Sequence, residues 1–204
     1  MSLTISQSTT PDFKPVEAGT HAAVISAIVD HGTQETSWKG VTKNRQQVRL
    51  QFSFPDMPLA DGSKVMAIGK TYTASLHENS GLRAHLEGIR GRKFTEAELA
   101  GFDLGKALGA HCLINVIHEP GEFGPRAKIA SVMAIPKSMP KPEFSGPLLA
   151  FDLGKPDDNI FEQLPEWQRE IIERSPEWKS WVNGPGDTPD QGEQEFPFDD
   201  DIGF

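Results

Sequence analysis

The sequence predicts a mainly β protein. It reads as a five-stranded barrel with a helical insertion between strands 3 and 4, a C-terminal helical strap and a disordered acidic tail. Three observations carry this. Val48, Leu50, Phe52 and Phe54 alternate with Gln47, Arg49, Gln51 and Ser53, the period of a strand with one buried face. Gly 19 and Pro 16 in 204 residues interrupt the chain too often for long helices. Hydrophobic residues make up only 37%, so part of the length lies outside any core.

The elements follow in order. Residues 1–14 are polar and read as a flexible arm. A first strand covers His21–Asp30, rich in β-branched residues. Residues 33–44 read as a polar loop with Trp38 at its middle, and 46–54 as the second strand. Pro55–Gly62 is turn-rich and ends in Asp-Gly. Residues 63–74 form a third strand candidate. Leu82, Leu86 and Ile89 then recur at helical spacing. Thr95-Glu-Ala-Glu98 is a capping-box sequence opening a second helix that carries Leu99, Phe102, Leu104 and Leu108. Strands follow at 110–118 and 126–135, around a Gly- and Pro-rich loop. Five strands with a helix after the third, over about 120 residues, is the order of an oligonucleotide/oligosaccharide-binding (OB) fold. The domain boundaries read as 15–137 for the OB-fold-like body and 138–183 for an extended strap and helices packed on it. Residues 184–204 read as a disordered acidic tail. Phe151–Leu153 is a short strand or a strap. A helix starts near Pro165, with Trp167, Ile171 and Ile172 as its apolar stripe, and Ser175-Pro-Glu restarts a turn with Trp178 and Trp181.

The net charge of −9 argues against nucleic acid until it is divided. Asp187, Asp190, Glu193, Glu195, Asp199, Asp200 and Asp201 give the tail seven acids and no base. Residues 14–137 carry fifteen bases against twelve acids. The body is mildly basic and the acidity belongs to the C-terminal third. One cysteine, Cys112, fits a reducing cytoplasm, and no apolar run reaches the length of a membrane span.

The basic cluster Lys39, Lys43, Arg45 and Arg49 contains no acid. With Trp38 and Tyr72 it offers phosphate contacts interleaved with stacking rings, the way single strands are held without sequence reading. The bland alternative is a solvated loop and an ordinary outer strand face. Lys64, Lys70, Arg126 and Lys128 extend the same surface if the barrel order holds. Phe123, in a Gly-rich loop, is a further stacking candidate or packs inward. Arg83, Arg90, Arg92 and Lys93 read as a solvated face, and the Trp residues at 167, 178 and 181 as strap packing. Enzyme chemistry finds little support. The six histidines form no HxxxH or HxH pair, and no phosphate-cradling glycine loop is present. No cofactor and no metal is expected.

The chain ends in Asp199-Asp200-Asp201-Ile202-Gly203-Phe204. Three carboxylates followed by two apolar side chains suit a basic, hydrophobic pocket on a partner. The segment resembles the C-terminal tip of bacterial single-stranded DNA-binding proteins, with Gly203 where that family has Pro. The run from Lys70 to Thr95, with Leu164-Pro-Glu-Trp167 and Ser175-Pro-Glu-Trp178, resembles phage-encoded single-stranded DNA-binding proteins over most of residues 16–182. The resemblance implies a barrel that coats single-stranded DNA in the host cytoplasm during replication, recombination or repair. It also implies that Asp199, Asp200, Asp201, Ile202 and Phe204 recruit host or phage proteins. The alternative is an acidic interaction or DNA-mimic factor that blocks a host nucleic-acid enzyme.

Overall fold

A computed structural model describes residues 14–184 apart from 39, 60, 61, 63, 122 and 123, and for Trp38 the backbone alone. Its centre is one long strand, β1 (Gly19–Trp38), paired antiparallel with β2 (Val41–Pro58). β3 (Val65–Thr73) adds to β2. On its other edge β1 pairs first with β4 (His111–Gly121), which pairs with β5 (Gly124–Met133). Further along the same edge β1 takes β6 (Leu149–Phe151) as a parallel partner. The result is a six-stranded sheet of order β3-β2-β1-β4-β5, antiparallel except for β6.

Alternation decides what goes inside. Ile25, Leu50, Phe52, Phe54 and Ile114 are fully buried in one core. Helix α1 (Gly81–Arg90) closes that core with Leu82, Leu86 and Ile89, and its C-terminus stops at Gly91 in the left-handed region. The predicted capping box at Thr95 and Glu98 forms. It opens only a four-residue helix, α2 (Glu96–Leu99); Leu104–Ala107 is a separate 3-10 turn started by Asp103.

A second, smaller core lies beyond β1. Val29, Phe151, Leu153, Leu164 and Ile172 bury one another, with α3 (Asp158–Gln163), α4 (Glu166–Arg174) and α5 (Pro176–Asn183) supplying most of the cover. Ser175 ends α4 and caps α5, accepting a hydrogen bond from the Trp178 amide with Pro176 in the first turn. The Glu177 carboxylate accepts from both the amide and the hydroxyl of Thr33, at 2.9 and 2.5 Å. Burial alone would raise the Glu177 carboxyl, but the Thr33 hydrogen bonds outweigh it and leave it lowered. Gln34 donates to the Ile171 carbonyl at 2.9 Å. These bonds fasten the helices to β1.

Three expectations change. The sheet is open where a closed barrel is predicted: β3 and β5 approach, yet no ladder joins them among the described residues. The like charges of Lys70 and Lys128 face this seam, and Lys128 helps to lower the Lys70 pKa after burial. Within the predicted polar loop, residues 33–38 and 41–44 are strand instead, paired in the outer half of the β1–β2 hairpin, with Thr33 opposite Gln46 and Trp38 opposite Val41. The segment after Phe54 stays in strand to Pro58 instead of turning at Pro55.

Gly32 sits where the helices touch β1. Its φ is +68°, and a Cβ there would come within 2.7 Å of Leu153 and Ser175. Gly32→Ala combines backbone strain with a clash against the second core. It is expected to cost about 1–3 kcal/mol, seen as a lower urea midpoint.

Candidate nucleic-acid interface

Strand β2 turns its even residues to the core, so its odd residues share the outer face. Lys43 and Arg45 are exposed there, and among the described residues neither forms an ion pair. Gln47 and Arg49 continue the row. The neighbouring strand is stripped of bulk on this face: Thr73, Thr71 and Gly69 stand opposite Gln47, Arg49 and Gln51. Small residues of β3 thus flank the amides and cations of β2 on this face.

Arg49 departs from the expected free phosphate contact. Its guanidinium lies across Gly69, where a Cβ would fall 2.1 Å from it. Its Nη1 donates to Thr71 Oγ1 at 3.3 Å, and its carbon sits 4.8 Å from the centroid of the Trp167 ring. Its buried Nε has no hydrogen-bond partner. Burial lowers its pKa, without approaching neutrality at physiological pH. His31, only 1% exposed, meets Trp167 edge-on at 6.4 Å. Its Nε2 donates to Gln168 Oε1 at 3.3 Å. Desolvation lowers the His31 pKa.

The remaining expected contacts fall elsewhere. Tyr72 is 6% exposed and lies in the core, so its ring is not a free stacking surface. It pairs with Val48, which fixes its direction inward. Its hydroxyl shares a 2.8 Å hydrogen bond with His85 Nδ1, and burial raises its pKa. Lys70 shares this inward parity, with its ammonium 5.5 Å from the Tyr72 centroid. Lys64 is exposed just ahead of β3. Arg126 and Lys128 are exposed on β5, where Lys128 pairs with Glu119 at 2.7 Å. The structure thus brings Lys43, Arg45 and Arg49 onto one face and sets Lys70 and Lys128 apart at the seam. Lys39, the Trp38 side chain, Phe123 and residues 199–204 lie outside the described residues.

The cations around α1 are engaged internally. Arg83 pairs with Glu87 at 3.0 Å, and Arg90 and Arg92 both bind Glu98. The Arg92 hydrogen bond is the main reason the Glu98 carboxyl is held down to about 2. Among the described residues no group of three His, Cys, Asp or Glu is placed to hold a metal, and no helix is long and apolar enough to cross a membrane.

Sequence spacing assigned Trp167 to packing, yet it is 45% exposed and outside both cores. α4 buries Gln168 and Ile172, in a row with Leu164 just ahead of it. A glutamine occupies the middle of that row because it meets His31. Helical periodicity gives no warning of a buried Gln, so of the stripe read from sequence Ile172 is buried while Trp167 gives way to Gln168.

Burial, and then the Lys70 charge, push the His85 pKa down to about 4 from 6.5. An unfolded chain takes up this proton as pH falls below 6.5, whereas the folded chain refuses it until about pH 4. Stability therefore falls over that window, by about 2 kcal/mol once part exposure is allowed for. His85→Asn keeps a hydrogen-bonding side chain beside Tyr72 and is expected to flatten that part of the pH–stability curve in chemical denaturation. No protein-family model matches this chain, and no curated protein sequence matches it.

Proposed function

We propose that this protein binds single-stranded DNA without sequence preference, along the outer face of β2 and β3. One observation carries the reading: Lys43, Arg45 and Arg49 lie on one face of a single strand, beside small residues and a half-exposed indole. On a strand Lys43 and Arg45 stand about 6.6 Å apart, and Arg49 lies about 13 Å further along. They neutralise a flexible phosphate chain without reading base edges, and aromatic faces accept any base. In this reading the open sheet is an OB-fold-like body, the β1–β2 hairpin is the arm that flanks the strand, and Trp38 and Lys39 belong to that arm. The protein serves phage DNA replication, recombination or repair. The acidic segment 199–204 recruits replication and repair proteins, with Ile202 and Phe204 in an apolar pocket and Asp199, Asp200 and Asp201 against its basic rim.

Binding of fluorescein-labelled oligo(dT) is expected to weaken steeply as salt rises. Replacing Lys43 and Arg45 together by Ala removes two phosphate contacts and should flatten the log–log salt slope by about 1.4. Absence of salt-dependent binding by the intact protein would refute the reading and favour an acidic DNA-mimic. Deleting residues 195–204 is expected to leave oligo(dT) binding unchanged or tighter while abolishing capture of replication proteins in a pull-down. Weaker DNA binding by the truncated chain would count against the division of labour.

A further inference from the structure

The C-terminal helices contribute an aromatic ring to the sheet face. Trp167 stands at the start of α4, yet the helix is held without it. Leu164, Gln168 and Ile172 do the burying, Gln34 binds the Ile171 carbonyl, and Glu177 binds Thr33. Leaving an indole 45% exposed forgoes much of the stabilisation its area would give if buried. The ring is nevertheless held in place. Arg49 lies over it at 4.8 Å, His31 meets its edge, and Arg49 is itself fixed across Gly69 and bonded to Thr71. The rest of the ring is exposed, and the Arg49 it meets shares its strand face with Lys43 and Arg45.

We propose that Trp167, backed by Arg49, is a nucleobase-stacking platform, so that the single-strand site is assembled jointly by β2 and α4. This rests on the single-stranded DNA reading above and adds a base-contacting residue from outside the barrel-like body. The Arg49 guanidinium preorganises the indole and adds positive potential beneath a base that stacks on it. A lone phosphate contact would need no ring, and what sets Trp167 apart from the similarly exposed Trp181 is the Arg49 guanidinium over its face.

The test compares wild type, Trp167→Ala, Trp167→Phe, Trp167→Leu and Trp181→Ala by fluorescence anisotropy with labelled oligo(dT). A matched oligomer of abasic sites on the same sugar–phosphate backbone is titrated in parallel. Stacking on one ring predicts a loss of about 5- to 150-fold for Trp167→Ala on oligo(dT). The abasic oligomer should lose far less. Trp167→Phe should retain most of the affinity, whereas Trp167→Leu, apolar but without a π face, should behave like the alanine variant. Trp181, 42% exposed on α5, serves as the control, and its alanine variant should bind like wild type. Melting temperatures verify that all variants fold. Equal affinities for the Phe and Leu variants, or equal losses on both oligomers, would overturn the stacking role while leaving DNA binding in place. Failure of the wild-type chain to bind oligo(dT) would overturn both.

Discussion

Strand β1 has to satisfy two partners on one edge, and the rest of the structure follows from how it does so. From Gly19 to Val24 that edge belongs to β4; from Ala27 to Val29 it belongs to β6. The handover falls at Ile25, whose amide donates to the Ala110 carbonyl and whose carbonyl accepts from the Gly109 amide. A register shift against β2 follows between Ile25 and Ala27, and a second between Asp30 and Gly32. Such shifts bend a strand and increase its twist. The first half of β1 therefore serves the large core with β4 and α1, and the second half serves the small core with α3, α4 and α5.

Much of this was legible where one side of an element meets a core. The β2 alternation from Val48 to Phe54, the α1 triplet and the Thr95 capping box each show in the sequence because burial or a local hydrogen bond demands them. The outer hairpin, 33–46, did not show. Its residues are polar on both faces and lean on cross-strand bonds, so no alternation marks it. Tyr72 was misdirected for a related reason. Its face is set by pairing with Val48, and inter-strand register is not written in either strand alone. Of the site, the cluster Lys43, Arg45 and Arg49 was visible as a run of unopposed bases. Trp167 was hidden by Gln168, whose burial depends on a histidine 137 positions earlier.

The same contacts that dock the helices also aim the surface. His31 bonds Gln168 in the buried row and touches the ring of Trp167 beside it. Arg49 belongs to the sheet but stacks on a ring from the helix. Neither half owns the arrangement: without the helices Arg49 loses its cover, and without β2 the indole loses its backing.

This joint ownership has a thermodynamic consequence. A ligand that touches both Lys43 or Arg45 on the sheet and Trp167 on α4 binds only the docked form, and so favours docking over detachment. The docking bonds are few and partly wet: the Glu177 clip on Thr33 and the Gln34 bond are only part-buried. The small core, with five buried residues, is accordingly the part of the fold whose local stability responds most to occupancy of the β2 face. The large core, sealed by α1, lies on the opposite face of β2 and does not depend on the C-terminal helices. A ligand that bridged sheet and helix would thus give up part of its binding energy to hold the C-terminal helices in place, a consequence of two cores sharing one strand.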